Sequence, residues 1–346
     1  MPITNKGITI TNKTYKLPNA KHMFIKRKIH LIVKFCLLLL SVHAQPQEEK
    51  SKFRIVGYYS LKSAMEVDLK KVPFDRLTHI NLYFLNPDTV GNFNQDFTAI
   101  IPFIKAAHRN NVKVIPSIAG GGQHTYYHDL LKDDKRAKFI NDLLQIALKY
   151  DFDGIDVDIE GSDIDENYET FAVELAGVLK THNKLITAAI AVFYKDVLSD
   201  KALEQYDFVN IMSYDHTGPW APGKPGPHST YDQAVKDLDY FGTVRKIPKE
   251  KMVLGVPFYG YGFGPTLTSP PISLNYGQIM DQFPEAGFTD SIVMPAGAIM
   301  YYNGIGTIKK KTALAKEKAS GIMIWQVLGD APGDKSLLKA INDEIL

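Results

Sequence analysis

Phe152-Asp153-Gly154-Ile155-Asp156-Val157-Asp158-Ile159-Glu160 is the stretch on which fold and chemistry both turn. From Ile155 onward, aliphatic residues and carboxylates alternate strictly. Successive side chains of a β-strand point to opposite faces, so Asp156, Asp158 and Glu160 share one face. Ile155, Val157 and Ile159 pack the other. Three acids on one half-buried face raise one another's pKa, and burial adds a desolvation cost. Such an arrangement suits a site where one acid must hold a proton near neutral pH. A solvated acidic edge strand would not need the apolar partners, which instead suggest a buried parallel strand. A calcium loop also fails, because its twelfth position is Asn167 and because Val157 and Ile159 are too apolar.

The N-terminus reads separately from the rest. Lys26, Arg27 and Lys28 precede an apolar run from Leu31 to Val42, and Val42-His43-Ala44 offers small residues for cleavage. This predicts a secretory signal peptide cut after Ala44, with Met23 as a second possible start. The run is too short to span a bilayer, so no stable membrane anchor is expected after cleavage. The product is expected to be secreted or periplasmic. The first 44 residues hold eight of the 40 Lys/Arg and none of the 38 Asp/Glu; removing them leaves 32 basic against 38 acidic residues, a net charge of −6. A nucleic-acid partner would want a basic stripe, and none is present. The single cysteine, Cys36, falls inside the signal, so the mature chain is expected to lack disulfides and thiolate metal sites. Residues 45–52 read as a short linker and 53–346 as one catalytic domain.

Eight strand-like apolar runs follow: Arg54–Tyr59, Leu77–Phe84, Val112–Ser117, Phe152–Ile159, Leu185–Val192, Phe208–Ser213, Met252–Val256 and Gly321–Trp325. Helical periodicity separates them, as in Lys135–Tyr150, Glu166–Lys180 and Thr230–Phe241. Eight strand–helix alternations imply parallel strands with right-handed crossovers, and a closed α/β (β/α)8 TIM barrel satisfies the count. A doubly wound open sheet is the runner-up, but no Gly-x-Gly-x-x-Gly follows the first strand. Residues 258–302 read as a short insertion after strand seven, rich in Pro and Gly, forming one wall of a cleft.

Catalytic groups of such barrels sit where strands run into their following loops. Those ends carry Tyr58 and Tyr59, Phe84, Ser117 with Gly120-Gly121-Gly122, Asp156 to Glu160, Met212 to Asp215, and Trp325. Acids, tyrosines and a tryptophan at one mouth match a sugar ring, which needs a flat apolar surface for its CH groups and acids for its oxygens.

These segments resemble glycoside hydrolase family 18, the chitinase family, in its bacterial form. Asp153-x-x-Asp156-x-Asp158-x-Glu160 is similar to that family's signature. Thr78–Asn81, Ser117–Gly121, Met212–Asp215 with Gly218-Pro219-Trp220, Gly255–Gly260 and Gly321–Trp325 resemble its other strands. The resemblance implies the roles. Glu160 would be the general acid, and the substrate's own N-acetyl group would be the nucleophile, with net retention. Asp158 would orient that acetamide, and Asp156 would share a proton with Asp158. Ser117 would hydrogen-bond Asp156, and Tyr214 would donate to the acetamide oxygen. Trp325 would floor the sugar subsite, with Phe84, Tyr58 and Met212 as walls. Gly121 would line it and Asp215 would hydrogen-bond the substrate. Asp153, of opposite strand parity, would be structural. No metal or cofactor is implied.

The chain departs from many chitinases at Gly161-Ser162, Gln123 and Gln326, and its insertion looks short. A shallower cleft with weak leaving-side stacking is the expectation. The function expected is hydrolysis of β-1,4-linked N-acetylglucosamine in chitin or chito-oligosaccharides by a monomer. The alternatives are an endo-β-N-acetylglucosaminidase acting on the chitobiose core of N-glycans, a catalytically inactive lectin-like relative, and a peptidoglycan-directed enzyme.

Overall fold

The structure, a computed structural model, describes Asn12 and residues 53–346 except 267 and 271. The signal-peptide and linker readings lie outside the described residues. The eight apolar runs form strands β1 (Arg54–Ser60), β2 (His79–Tyr83), β3 (Lys113–Ala119), β4 (Gly154–Asp158), β5 (Leu185–Ala191), β6 (Phe208–Met212) and β7 (Met252–Pro257), with Gly321–Trp325 as the last. They close into an all-parallel barrel in chain order, the last strand pairing with both β7 and β1. The (β/α)8 expectation is therefore met. The strand bounds move by a residue or two, as at β2 and β4, where the flanking residues sit outside the ladder.

Strand parity sorts the core. Ile55, Ile155 and Val157 point outward into the layer between strands and helices. Val56, Tyr58, Phe208, Val253 and Met323 point inward and fill the barrel. The helices cover the outer layer because each presents an apolar stripe. In Asp133–Lys149, Phe139, Ile140, Leu143, Leu144 and Ala147 are buried, acids occupy the first turn and Lys149 the last, so the charges complement the helix dipole. Tyr231–Asp239 starts with a reciprocal capping box between Thr230 and Gln233 and ends in a π-helical turn, Tyr240–Val244.

The segment after β7 is more ordered than its Pro- and Gly-rich composition suggested. It forms β8 (Tyr259–Phe263), β9 (Ile272–Asn275), the helix Tyr276–Gln282, β10 (Ser291–Val293) and β11 (Ile299–Tyr301). These four strands make an antiparallel sheet in the order β10-β11-β8-β9, and Gly321–Trp325 is accordingly β12. Among the described residues no helix is long and apolar enough to cross a membrane.

Candidate active site

The register between β3 and β4 sets Ser117 beside Asp156 and Ala119 beside Asp158. Both aspartates point into the barrel and are almost fully buried, at 0% and 2% exposure. Their surroundings differ sharply. Asp156 Oδ2 accepts the Tyr58 hydroxyl at 2.6 Å and the Ser117 hydroxyl at 2.8 Å. Its Oδ1 accepts the Thr187 hydroxyl at 2.5 Å and a long bond from Asn210 Nδ2 at 3.5 Å. Asp158 Oδ1, by contrast, is buried without a hydrogen-bond partner. Burial raises the pKa of Asp156 while its hydroxyl donors oppose the rise. Asp158 is held well above the carboxylate range by burial, then by the charges of Glu160 and Asp156.

Glu160 stands at the barrel mouth, half-buried, just before a single 3-10 turn to which its side chain makes no capping bond. Burial, then the carboxylates of Asp215 and Asp163, push its pKa from 4.5 to about 7. A carboxylic acid still protonated near neutrality can deliver a proton to a leaving oxygen. The strand-alternation reading thus places its three acids on one face, two below the mouth and one at it.

A cavity of about 660 Å³ opens over this face. Of the expected residues, Gly121, Asp158, Glu160, Met212, Tyr214, Asp215 and Trp325 line it. Tyr58 does not: at 1% exposure it lies beneath, its ring 5.3 Å from Trp325 and its hydroxyl on Asp156. It supports the floor where the sequence suggested a wall. Phe84, also expected as a wall, does not line the cavity either: it stacks on Trp325 at 5.9 Å and 24° and backs the glycine run. The peptide bonds Tyr83–Phe84 and Trp325–Gln326 are cis. Gly120 adopts φ +65°, and a Cβ there would meet Phe84 Cε1 at 2.0 Å and Asp158 Oδ2 at 2.5 Å. Only glycine lets the β3 loop pass so close.

Tyr214 is buried, and the one acceptor its hydroxyl finds is the weakly accepting Met323 sulfur, at 3.8 Å. That leaves a strong donor free for a ligand. Asp215, at φ +63°, accepts from the Tyr259 hydroxyl and lies 3.3 Å from His228 Nδ1. Asp153 sits at the opposite end of β4, where Oδ2 accepts Val114 N at 2.7 Å and lies 2.8 Å from His108 Nε2. It fastens β4 to β3 and is not part of the cavity.

Several lining residues escaped the sequence reading. Phe193 and Tyr194 follow β5, while His216 and Trp220 follow β6. Trp220 is 60% exposed, and Tyr261 of the insertion braces its ring edge-on at 5.5 Å. The insertion therefore buttresses the wall through Tyr259 and Tyr261, and the loop after β6 supplies the surface. Thr187 and Asn210 were also missed, although each is the lone polar residue in an otherwise apolar strand.

The family model described as glycosyl hydrolases family 18 matches residues 54–330. A chitinase from the chitin utilization locus of Flavobacterium johnsoniae is 34% identical, superposes with a TM-score of 0.75, and aligns over 85% of this chain and 94% of its own. A chitinase from Bacteroides thetaiotaomicron is 30% identical with a TM-score of 0.74, over 86% and 97%. A class V chitinase of Lotus japonicus is 25% identical over 346 residues, 83% of this chain and 85% of the relative. Barrel, acidic strand and family match agree, and the chain belongs to glycosyl hydrolases family 18.

Proposed function

We propose that this glycoside hydrolase cleaves β-1,4-linked N-acetylglucosamine, in chitin or its oligomers, with the substrate's acetamide as nucleophile. The observation that carries the reading is the unpartnered, buried Asp158 Oδ1 beside a Glu160 whose pKa is pushed to about 7. A buried carboxyl oxygen without a partner is costly unless a ligand supplies one, and an acetamide N–H in the cavity would do so. The similar Flavobacterium johnsoniae protein is a chitinase from a chitin utilization locus, which supports the same substrate class.

In this reading Trp325 floors the sugar, and the Tyr214 hydroxyl donates to the acetamide oxygen and turns it toward the anomeric carbon. Glu160 gives its proton to the glycosidic oxygen. As that C–O bond breaks, the acetamide oxygen bonds to the anomeric carbon and an oxazolinium ring forms. Asp158 balances the positive ring as the proton it shares with Asp156 moves onto Asp156, whose oxygens the surrounding hydroxyls hold in place. The Glu160 carboxylate then takes a proton from water as that water opens the ring, so the configuration is retained. We further propose that residues 53–346 are the catalytic domain and that the N-terminal segment exports it.

The test uses fluorogenic N-acetylglucosamine oligomers and a chitobiose-core glycopeptide, with wild type beside Glu160→Gln. Release from the oligomers, lost in the variant, is expected. Release from the glycopeptide alone would move the assignment to N-glycan cleavage. Binding without turnover by wild type would make the protein a lectin-like relative.

A further inference from the structure

The helix Ile305–Lys318 carries a lysine that none of the chemistry above uses. Lys311 is completely buried, and all three of its N–H groups have acceptors. Nζ donates to Ser229 O at 2.8 Å, to Ser229 Oγ at 2.7 Å and to Asn303 Oδ1 at 2.8 Å. Not one of these acceptors is a carboxylate. Burying an ammonium costs several kcal/mol, and neutral acceptors offset only part of that. A methionine or leucine would pack the same helix face without the cost, so packing alone does not account for a lysine.

The three acceptors belong to segments that build one side of the cleft. Ser229 Oγ, while accepting from Lys311, donates to the carbonyl of Ser213 at 2.6 Å, the residue before Tyr214 and Asp215. Asn303, just beyond β11, donates from Nδ2 to Ser229 O at 2.8 Å. His228, next to Ser229, packs between Tyr259 and Tyr261 with ring centroids 5.0 and 4.8 Å away, and its carbonyl accepts the His216 amide at 3.1 Å. Helix, strand end, loop and insertion thus meet at one buried amine.

We propose that Lys311 is a positioning residue, which through Ser229 latches the Tyr214–Asp215 edge of the cleft to the insertion. Burial pushes its pKa down to about 7, against the carboxylates of Asp290 and Asp237. The latch acts at a distance from substrate: it fixes where the Tyr214 hydroxyl and the Asp215 carboxylate stand. Its effect on turnover rests on the activity proposed above, whereas its effect on the protein does not.

The experiment therefore has two readouts, on Lys311→Met, Ser229→Ala and the double variant, all well below their melting temperatures. Hydrogen exchange of the His216 amide is expected to quicken at least about tenfold in each variant, while β7 amides keep their protection. With an N-acetylglucosamine tetramer, kcat is expected to fall about tenfold at nearly constant KM, since small misplacements of positioning groups are expensive. The double variant is expected to lose no more than either single one, as one connected unit would. Wild-type protection of the His216 amide in the variants would overturn the latch, and so would losses in kcat that multiply in the double variant. If Lys311→Met does not fold, Ser229→Ala decides both readouts alone. A wild type inactive on the oligomer would overturn the proposed activity and leave the latch to be decided by exchange.

Discussion

Asp156 and Asp158 lie two residues apart on one face of β4, yet Asp156 is ringed by hydroxyl donors while Asp158 keeps a buried oxygen with none. The contrast separates a carboxyl group held in place by its donors from one that waits for a partner. Asp158→Ala is predicted to lower kcat by about 10²–10³, the usual loss when a group that balances developing charge is removed. Stability should not fall, because an unpartnered buried carboxyl costs more than it contributes. Steady-state kinetics and chemical denaturation would check the pair of outcomes; an unchanged kcat would count against it.

Glu160 gives the pH dependence. Its folded pKa is raised from 4.5 to about 7, so the acid form needed for proton donation is lost as pH climbs through about 7, and kcat/KM should fall there. Stability follows the same group. Between pH 4.5 and 7 the unfolded chain has lost this proton and the folded chain has kept it, so stability falls with rising pH. Glu160→Gln removes that penalty. The variant should match wild type at pH 4 and exceed it above pH 7 by as much as ~3 kcal/mol, at 1.4 kcal/mol per pKa unit. Urea melts at the two pH values would show it.

Gly120→Ala tests the close approach of the β3 loop. At φ +65° an alanine is strained, and its Cβ would collide with Phe84 and Asp158. A stability loss of about 1–3 kcal/mol is expected from the backbone alone. Activity should fall with it, because Asp158 and the ring over Trp325 are the atoms displaced. Thermal melts beside oligomer kinetics would read both.

Tyr58→Phe removes one donor to the buried Asp156 and leaves the ring against Trp325. Hydrogen bonds to a charged group contribute about 1.5–3 kcal/mol. The donor favours the ionised form, so the loss should be larger at pH 8 than at pH 4, where protonation of Asp156 reduces the need for it. Equal destabilisation at both pH values would show that Asp156 is neutral throughout.

The barrel and its acidic strand were legible because both depend on period: strands alternate with helices, and within β4 side chains alternate between faces. Asp156, Asp158 and Glu160 follow directly from that parity, and so does the exclusion of Asp153 from the cavity. Tyr58 was placed on the right face but at the wrong depth, since parity says where a side chain points and not how far below the mouth it ends. Phe193 and Tyr194 sit in a single 3-10 turn after β5, and His216 and Trp220 in the loop after β6, where no period marks an inward residue. The insertion hid its sheet for a related reason. Its strands are three to five residues long, too short for alternation to stand out from Pro- and Gly-rich neighbours. Lys311 was invisible as well, because a lysine on a helix reads as solvated until the packing shows otherwise.

The central claim is that the substrate's acetamide does the nucleophilic work beside Asp158 and Tyr214. Its most direct measurement is the initial rate on a tetramer of N-acetylglucosamine against the matched tetramer of unacetylated glucosamine, with the new reducing end followed by proton NMR. The account predicts cleavage of the acetylated oligomer, release of the β-anomer first, and a rate on the unacetylated one lower by at least about 10². Comparable rates on both, or first release of the α-anomer, would contradict it.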